Sequence, residues 1–454
     1  MNALALNPPR DALFAPGRRA ALVGAVALVS MLAFEAMAVA AAMPAIALAL
    51  DGLALYALAF GGTLASSVLG MVVAGASCDR RGPWRTTAWG LGIFMLGLLL
   101  AGLAPQMDWL VAGRVVQGLG GGMLSVALYA GMGPLVPEAQ HPRMFALFAA
   151  AWVLPGLVGP LLAAWLTEQL GWRAVFLCVA AAVPLAAALL LPAFRRLSLP
   201  CQTAPTVPLW RQARIGWAAL AACGALALHS ASQAGSVQLA LPILVLGLAA
   251  ALLAAGRLLP PGTLRAAAGL PAVIALRGLL VGAFFSAEVF IPLYLGREQG
   301  WSLAQAGLAL SAAAVCWSAG SALQARLQGS PARRRGLQTG FLMLAAGIAW
   351  VATPLLFGLA PVWVVAGWAL AGFGTGLSFP MLSVLTLALS APAQRGSNAS
   401  ALQLSDALGT SASLAVAGAL FNQAGAGALS HLLVLGLASS LALLGLVLGP
   451  RAFR

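Results

Sequence analysis

Three carboxylic acids stand where a carboxylate is hardest to keep: Glu35, Glu288 and Asp406, each inside a long apolar run. Asp406 is the extreme case. From Gly396 to Pro450 there is no Lys, Arg or Glu and no other Asp. Arg395, its nearest charge in sequence, lies roughly 16 Å away along a helix rising about 1.5 Å per residue. A charge at mid-bilayer costs about 2.5–3.5 kcal/mol on insertion scales, so such a residue must face a polar cavity, pair, or be neutral for part of a cycle. A carboxyl held out of water keeps its proton to higher pH than one in solution. It can then load and release protons near neutrality, as coupling to a proton gradient requires. A cationic substrate competing for the same oxygen atoms would expel the proton, and that competition alone gives antiport. The structural alternative for each acid is a protonated, hydrogen-bonded group that holds helices together.

Other polar residues share these runs. Arg114, with Gln117 one turn on, either snorkels to the membrane surface or acts inside the bundle. Arg277 precedes Glu288 by about three helical turns, so the two share a face but stand roughly 16 Å apart, too far to pair. Its alternative place is the cytoplasmic interface. Pro292 is expected to kink the helix close to Glu288. Asp406 has Gln403, Ser405, Thr410, Ser411 and Ser413 nearby. His229 and His431 lie near the ends of runs and read as interfacial residues rather than proton relays.

Much chemistry is excluded. The chain has no lysine, so it holds no Walker A phosphate loop and no Schiff-base amine; it is not powered by ATP. No HExxH helix or nucleophile elbow is present, which argues against a membrane-embedded enzyme. Cys78, Cys178, Cys201, Cys223 and Cys316 are scattered without a CxxC pair, indicating neither a metal site nor a disulfide framework. No cofactor is expected. The formal charge of +14 is not a nucleic-acid footprint, because the arginines occupy short runs between apolar segments rather than one face.

The elements that must position these residues are membrane helices. Of 454 residues, 62% are hydrophobic and 7% charged, against about 25% charged in a soluble domain. Windows long enough to cross the bilayer fall near 22–48, 53–77, 86–105, 109–134, 144–167, 173–194, 215–230, 236–255, 271–295, 303–325, 337–358, 362–389, 398–421 and 430–449. That predicts an all-α polytopic protein of about fourteen spans arranged six, two, six, with 215–230 the shortest window. The domains are an N-terminal six-helix half over 1–196, a linker with two extra helices over 197–268, and a C-terminal six-helix half over 269–454. The first apolar stretch runs to Leu50, too long for a cleavable signal peptide. If both termini are cytoplasmic, every arginine except Arg114, Arg173, Arg277 and Arg297 falls on the cytoplasmic loops and tails, Arg10 and Arg211 among them. The opposite loops hold only Arg173 and Arg297, with Asp51, Asp108, Glu168 and Glu298.

The two halves repeat each other. "AGRVVQGLGGG" (112–122) and "AGWALAGFGTG" (366–376) match at Ala112, Gly113, Gly118, Gly120 and Gly122 with a constant offset of 254. Two parallel six-helix repeats are the plan of major facilitator transporters. Arg114 has Trp368 as its counterpart, so the scaffold does not need a cation there.

With these features in place, the chain resembles the fourteen-helix drug:proton antiporter branch of the major facilitator superfamily over nearly its whole length. "GASCDRRGPWR" (75–85) is similar to the family's loop motif through Gly75, Asp79, Arg80, Gly82 and Arg85. Pro83 stands where that motif usually has Arg. "RVVQGLGGG" (114–122) resembles the fourth-helix motif. "PGLVGPLLAAWL" (155–166) resembles the fifth-helix antiporter motif through Gly159 and Pro160, with Pro155 and Ala163–Ala164 replacing glycines. "GWRAVF" (171–176) is common in the branch. The resemblance implies proton-coupled export of amphipathic, drug-like small molecules across the cytoplasmic (inner) membrane by alternating access. Glu35 would fill the acidic role of the first helix, and the Asp79 loop would act as a cytoplasmic gate. The implied partners are a small-molecule substrate, protons and the lipid bilayer, with no nucleic acid and no ATP; oligomeric state is left open. Export of a lipid or metabolite is the alternative substrate reading.

Overall fold

The computed structural model describes residues 16–137, 140–196, 213–231, 237–327, 329–391, 394–424 and 427–454. Arg10, Cys201 and Arg211 lie outside them, as does most of the polar break between the first half and the linker. The described residues fold into α-helices and short 3-10 turns, with no strand among them. A helix satisfies its own backbone groups, which lipid cannot do for it.

The first half contains α1 (Pro16–Ala49), α2 (Tyr56–Gly102), α3 (Met107–Leu135), α4 (His141–Leu170) and α5 (Arg173–Arg196). The linker supplies α6 (Ala213–Ala231) and α7 (Val237–Leu258). The second half contains α8 (Leu270–Gln299), α9 (Leu303–Gln324), α10 (Ser330–Val351) with its short continuation α11 (Thr353–Phe357), α12 (Val362–Leu389), α13 (Arg395–Gln423) and α14 (Ala428–Leu448).

α2 is two crossings joined at one residue. Gly82 has φ 78° and ψ 166°, a conformation open essentially to glycine alone. Pro83 then begins the second arm, where its missing N–H is needed by no helical bond. Thr86 donates to Ser77 Oγ at 2.9 Å across the break and Thr87 to Pro83 O at 2.7 Å. Twelve helices among the described residues are long and apolar enough to cross a membrane, one of them the 50-residue stretch Leu53–Gly102. Counting its two arms gives thirteen crossings rather than the expected fourteen. The shortfall is α6, the shortest window in the sequence, which falls outside that set. It packs against α7, α2 and α13 and so bridges the two halves.

The repeated glycines show how each half is built. A Cβ added at Gly118 or Gly122 would strike the carbonyls of Thr63 and Ser67 on the first arm of α2, and one at Gly113 or Gly120 the backbone of Ala101 and Phe94 on the second. In the second half, Gly372 and Gly376 meet Ala313 and Trp317 of α9, while Gly367 and Gly374 meet Gly347 and Gly340 of α10. α3 and α12 are thus wedged backbone-to-backbone between two neighbours, as small residues permit in lipid. Large apolar side chains point outward instead, among them Trp89, Leu185, Leu246 and Val447.

The halves meet along α2–α13 and α4–α9. Tyr56 OH donates to Val289 O (2.8 Å), Ser411 Oγ to Gly61 O (3.0 Å), Asn422 Nδ2 to Ala54 O (3.0 Å) and Ser311 Oγ to Leu157 O (2.7 Å). The Tyr56 and Asn422 bonds lie toward the end of the bundle remote from the chain termini, the far end, and the Ser411 and Ser311 bonds lie nearer mid-bundle.

Candidate functional site

Two of the three buried acids have partners that no local sequence pattern announces. Glu35, at the middle of α1, forms a buried ion pair with Arg114 of α3. The guanidinium is held from three directions: Nη1 also donates to Gln117 Oε1 (2.9 Å), and Nε donates to the Ala59 carbonyl on α2 (3.2 Å). Arg114 therefore does not snorkel to the surface; it is 4% exposed and works inside the bundle. Gln117 Nε2 is buried without a partner.

Asp406 is not isolated. Arg277 of α8 grips it in a two-pronged pair, Nε to Oδ1 at 2.7 Å and Nη2 to Oδ2 at 3.0 Å. The remaining nitrogen, Nη1, donates to Phe379 O (2.8 Å) and Ser383 Oγ (3.0 Å) on α12, and the guanidinium lies 3.1 Å from the centre of the Phe379 ring. Arg277 is thus neither an interfacial residue nor an attendant of Glu288. Planar, forked recognition of this kind is the strong form of an ion pair. In a medium without competing water, removing one partner costs about 3–5 kcal/mol.

Glu288 is different. It is 6% exposed, yet no described side chain lies within hydrogen-bond or ion-pair distance of its carboxylate. The repeat explains why. α8 opens the second half as α1 opens the first; Glu35 comes 19 residues after Pro16 (35 − 16) and Glu288 18 after Leu270 (288 − 270). The two acids thus stand within one residue of the same depth in the opening helix of each half, and the counterpart of Arg114 is Trp368. Where the first half closes an acid against a cation, the second presents an indole. Trp368 is fully buried, its Nε1 has no partner, and it stacks on Phe284, one turn before Glu288, at 4.5 Å. From there a row of rings continues through Trp317 (5.1 Å) and Phe379 (5.2 Å) to Arg277.

The loop motif lies at the break in α2. Asp79 and Arg85 are exposed, Asp79 makes no ion pair within 4.0 Å among the described residues, and a Cβ at Gly75 or Gly82 would meet nothing. The fifth-helix motif lies on the seam between halves. A Cβ at Gly159 would rest against Met37 and Phe34 of α1 at ordinary contact distance, and the Pro160 carbonyl faces Gly307 of α9. Sequence reading passed over Trp368 as a site residue and left Arg277 without its partner. The offset that pairs Arg114 with Trp368, extended to the first helix of each half, carries Glu35 to Val289, one residue from Glu288. Nothing local points from Arg277 to Asp406.

A family model described as Major Facilitator Superfamily matches residues 23–286, more than half the chain. The chain is 28% identical over 431 residues to the Probable multidrug-efflux transporter of Mycobacterium tuberculosis (strain ATCC 25618 / H37Rv), covering 90% of this chain and 88% of that one. It is 30% identical over 155 residues to Multidrug resistance protein 3 of Bacillus subtilis (strain 168), covering 34% and 30% respectively. Among solved structures it resembles a POT family transporter in complex with 5-aminolevulinic acid, with a TM-score of 0.71 at 16% identity over 96% of this chain and 97% of that one. A human organic anion transporter is similar in fold, with a TM-score of 0.62 at 17% identity over 96% and 100%.

Proposed function

This chain belongs to the Major Facilitator Superfamily, a family of transporters rather than enzymes, and from that premise we propose that it exports amphipathic, drug-like molecules in exchange for protons, with Glu288 as the coupling carboxylate. The observation that carries this reading is the contrast between the halves: Glu35 and Asp406 are neutralised by arginines, while Glu288 is buried and unpaired. A carboxylate locked to arginine cannot exchange its charge cheaply. An unpaired one must be neutral when dry, so it holds a proton or a cationic substrate, one at a time. The multidrug-efflux relative that spans most of the chain supports the substrate class and the direction.

Alternating access follows from the repeat. The halves rock about the central site, and the hydrogen bonds donated by Tyr56 and Asn422 hold the far end shut in this conformation. With both termini in the cytoplasm, as the arginine distribution supports, the chain is an inner-membrane protein whose outer side is closed here. Asp79 then engages across the halves when the cytoplasmic side closes in its turn, and Arg80 and Arg85 hold that loop at the membrane surface. The ion pairs of Glu35 and Asp406 keep the two halves rigid while they move.

The test is ΔpH across energised everted vesicles while lipophilic cations are added, for wild type, Glu35→Gln, Glu288→Gln and Asp406→Asn. Wild type is expected to dissipate ΔpH, and folded Glu288→Gln to leave it intact. A Glu288→Gln protein that dissipates ΔpH like wild type would remove Glu288 from the coupling path.

A further inference from the structure

We propose that His431 is the station through which a proton passes from the far end of the bundle to Glu288, an assignment that rests on Glu288 being the coupling carboxylate. His431 stands in the first turn of α14, only 2% exposed. Its Nδ1 lies 3.1 Å from the Gly427 carbonyl. A carbonyl only accepts, so Nδ1 carries the hydrogen, and the neutral ring presents Nε2 as a bare lone pair. That atom is buried and has no partner. The ring borders a small void of about 10 Å³, lined also by Phe290, Ile291, Tyr294 and Leu435, at the lower limit of what one water molecule needs. Tyr294 at 5.5 Å and Phe421 at 5.3 Å pin the imidazole in place.

Both sides of this station are equipped. Toward the far end, Glu298 Oε1 is 3.9 Å from Nδ1 with a quarter of its side chain exposed, so a counter-charge for imidazolium sits within reach of solvent. Toward the centre, the void is lined by Ile291, one turn along α8 from Glu288. Pro292 has no N–H, so the Glu288 carbonyl lacks its helical donor; the next carbonyl, Val289, is taken by Tyr56 OH. An open acceptor thus lies beside the acid, in a helix that is otherwise closed. Among the described residues, the titratable and charged groups near the ring come from α8: Glu298 and Tyr294, with Arg297 close enough to act on it through space. From α13 the ring meets Phe421, which does not titrate.

The transfer balances one proton in and one out. A proton drawn in from the far end is held on Nε2 while Glu298 offsets the ring charge, and the same proton leaves Nε2 through the one water that the void can take, toward Glu288 one turn from Ile291. Nδ1–H stays on Gly427 throughout. No bond other than N–H and O–H is made or broken.

The experiment is time-resolved infrared spectroscopy after a pH jump on the purified, full-length protein, reading the carboxylic C=O band that Glu288→Gln abolishes. His431→Gln keeps an amide able to donate to Gly427 but cannot be protonated. The band is expected to rise on the order of a hundredfold more slowly in that variant, and Glu298→Gln, at the exposed rim, is expected to slow it in the same direction. Should His431→Gln fail to fold, Glu298→Gln decides. Equal rates in wild type and variants would overturn the relay and leave Glu288 as the coupling group. Absence of any titrating Glu288 band in wild type would overturn both assignments.

Discussion

Asp406→Asn isolates what the Arg277 pair contributes. The substitution removes the charge from two hydrogen bonds, at 2.7 and 3.0 Å, and leaves the guanidinium with Phe379 O, Ser383 Oγ and the Phe379 ring. Arginine cannot shed its proton, so it stays charged inside the bundle. Breaking a buried pair this way costs about 3–5 kcal/mol. The Asp406 side chain is 27% exposed, which places the expected loss at the lower end, about 3 kcal/mol. Arg277→Gln should cost less, about 1–2 kcal/mol, because the orphaned carboxylate can neutralise itself by taking up a proton. The double variant replaces both charges and should cost no more than about 2 kcal/mol. The cycle therefore closes with a coupling energy of about 2–3 kcal/mol. Equilibrium unfolding in mixed micelles, followed by tryptophan fluorescence, measures all four corners. Single losses that simply add, to within about 0.5 kcal/mol, would refute the claim that this pair is a structural bond of the second half.

Other expectations follow from the same geometry. Trp368→Arg restores at the second half the cation that the first half has at Arg114; substrate-driven proton release in vesicles should fall while the protein still inserts and folds, and unchanged release would show that Glu288 does not need to be unpaired. Asp79→Asn should leave thermal stability at the wild-type level, since Asp79 is exposed and makes no ion pair among the described residues, but should lower the transport rate of a fluorescent cation in proteoliposomes. Tyr56→Phe deletes the bond to Val289 O, worth about 1 kcal/mol, and should raise the far-end-open population about fivefold, read as a longer spin–spin distance between labels on the far ends of α2 and α13.

Much of this molecule is legible from its residues alone, because lipid as a solvent imposes simple demands. Runs of apolar residues had to become helices, since nothing else satisfies a backbone in hydrocarbon. The offset of 254 between the glycine runs revealed two equivalent halves, and the structure shows those glycines meeting equivalent backbones in each. The loop motif of residues 75–85 is read from sequence as a connection between two crossings, and the structure reduces that connection to a single residue, Gly82, out of line in an otherwise continuous helix. The segment 215–230 reads from sequence as a crossing, yet its helix falls outside the set long and apolar enough to cross a membrane, and its character depends on the α2 and α13 surfaces it lies against.

The ion pairs are where sequence ran out. Arg277 and Asp406 are 129 residues apart and Glu35 and Arg114 are 79 apart; no periodicity connects them, because pairing in a bundle is set by which helix faces which. Along the chain Asp406 is the most isolated of the three acids, yet it is one of the two that are paired. Tertiary packing then divided them, delivering an arginine to two and none to the third. Sequence determined that three carboxyls would be buried, since hydropathy is a local property. Only the folded bundle decided which of them stayed unpaired, since the presence of a counter-charge within 4 Å is a property of neighbouring helices and not of neighbouring residues.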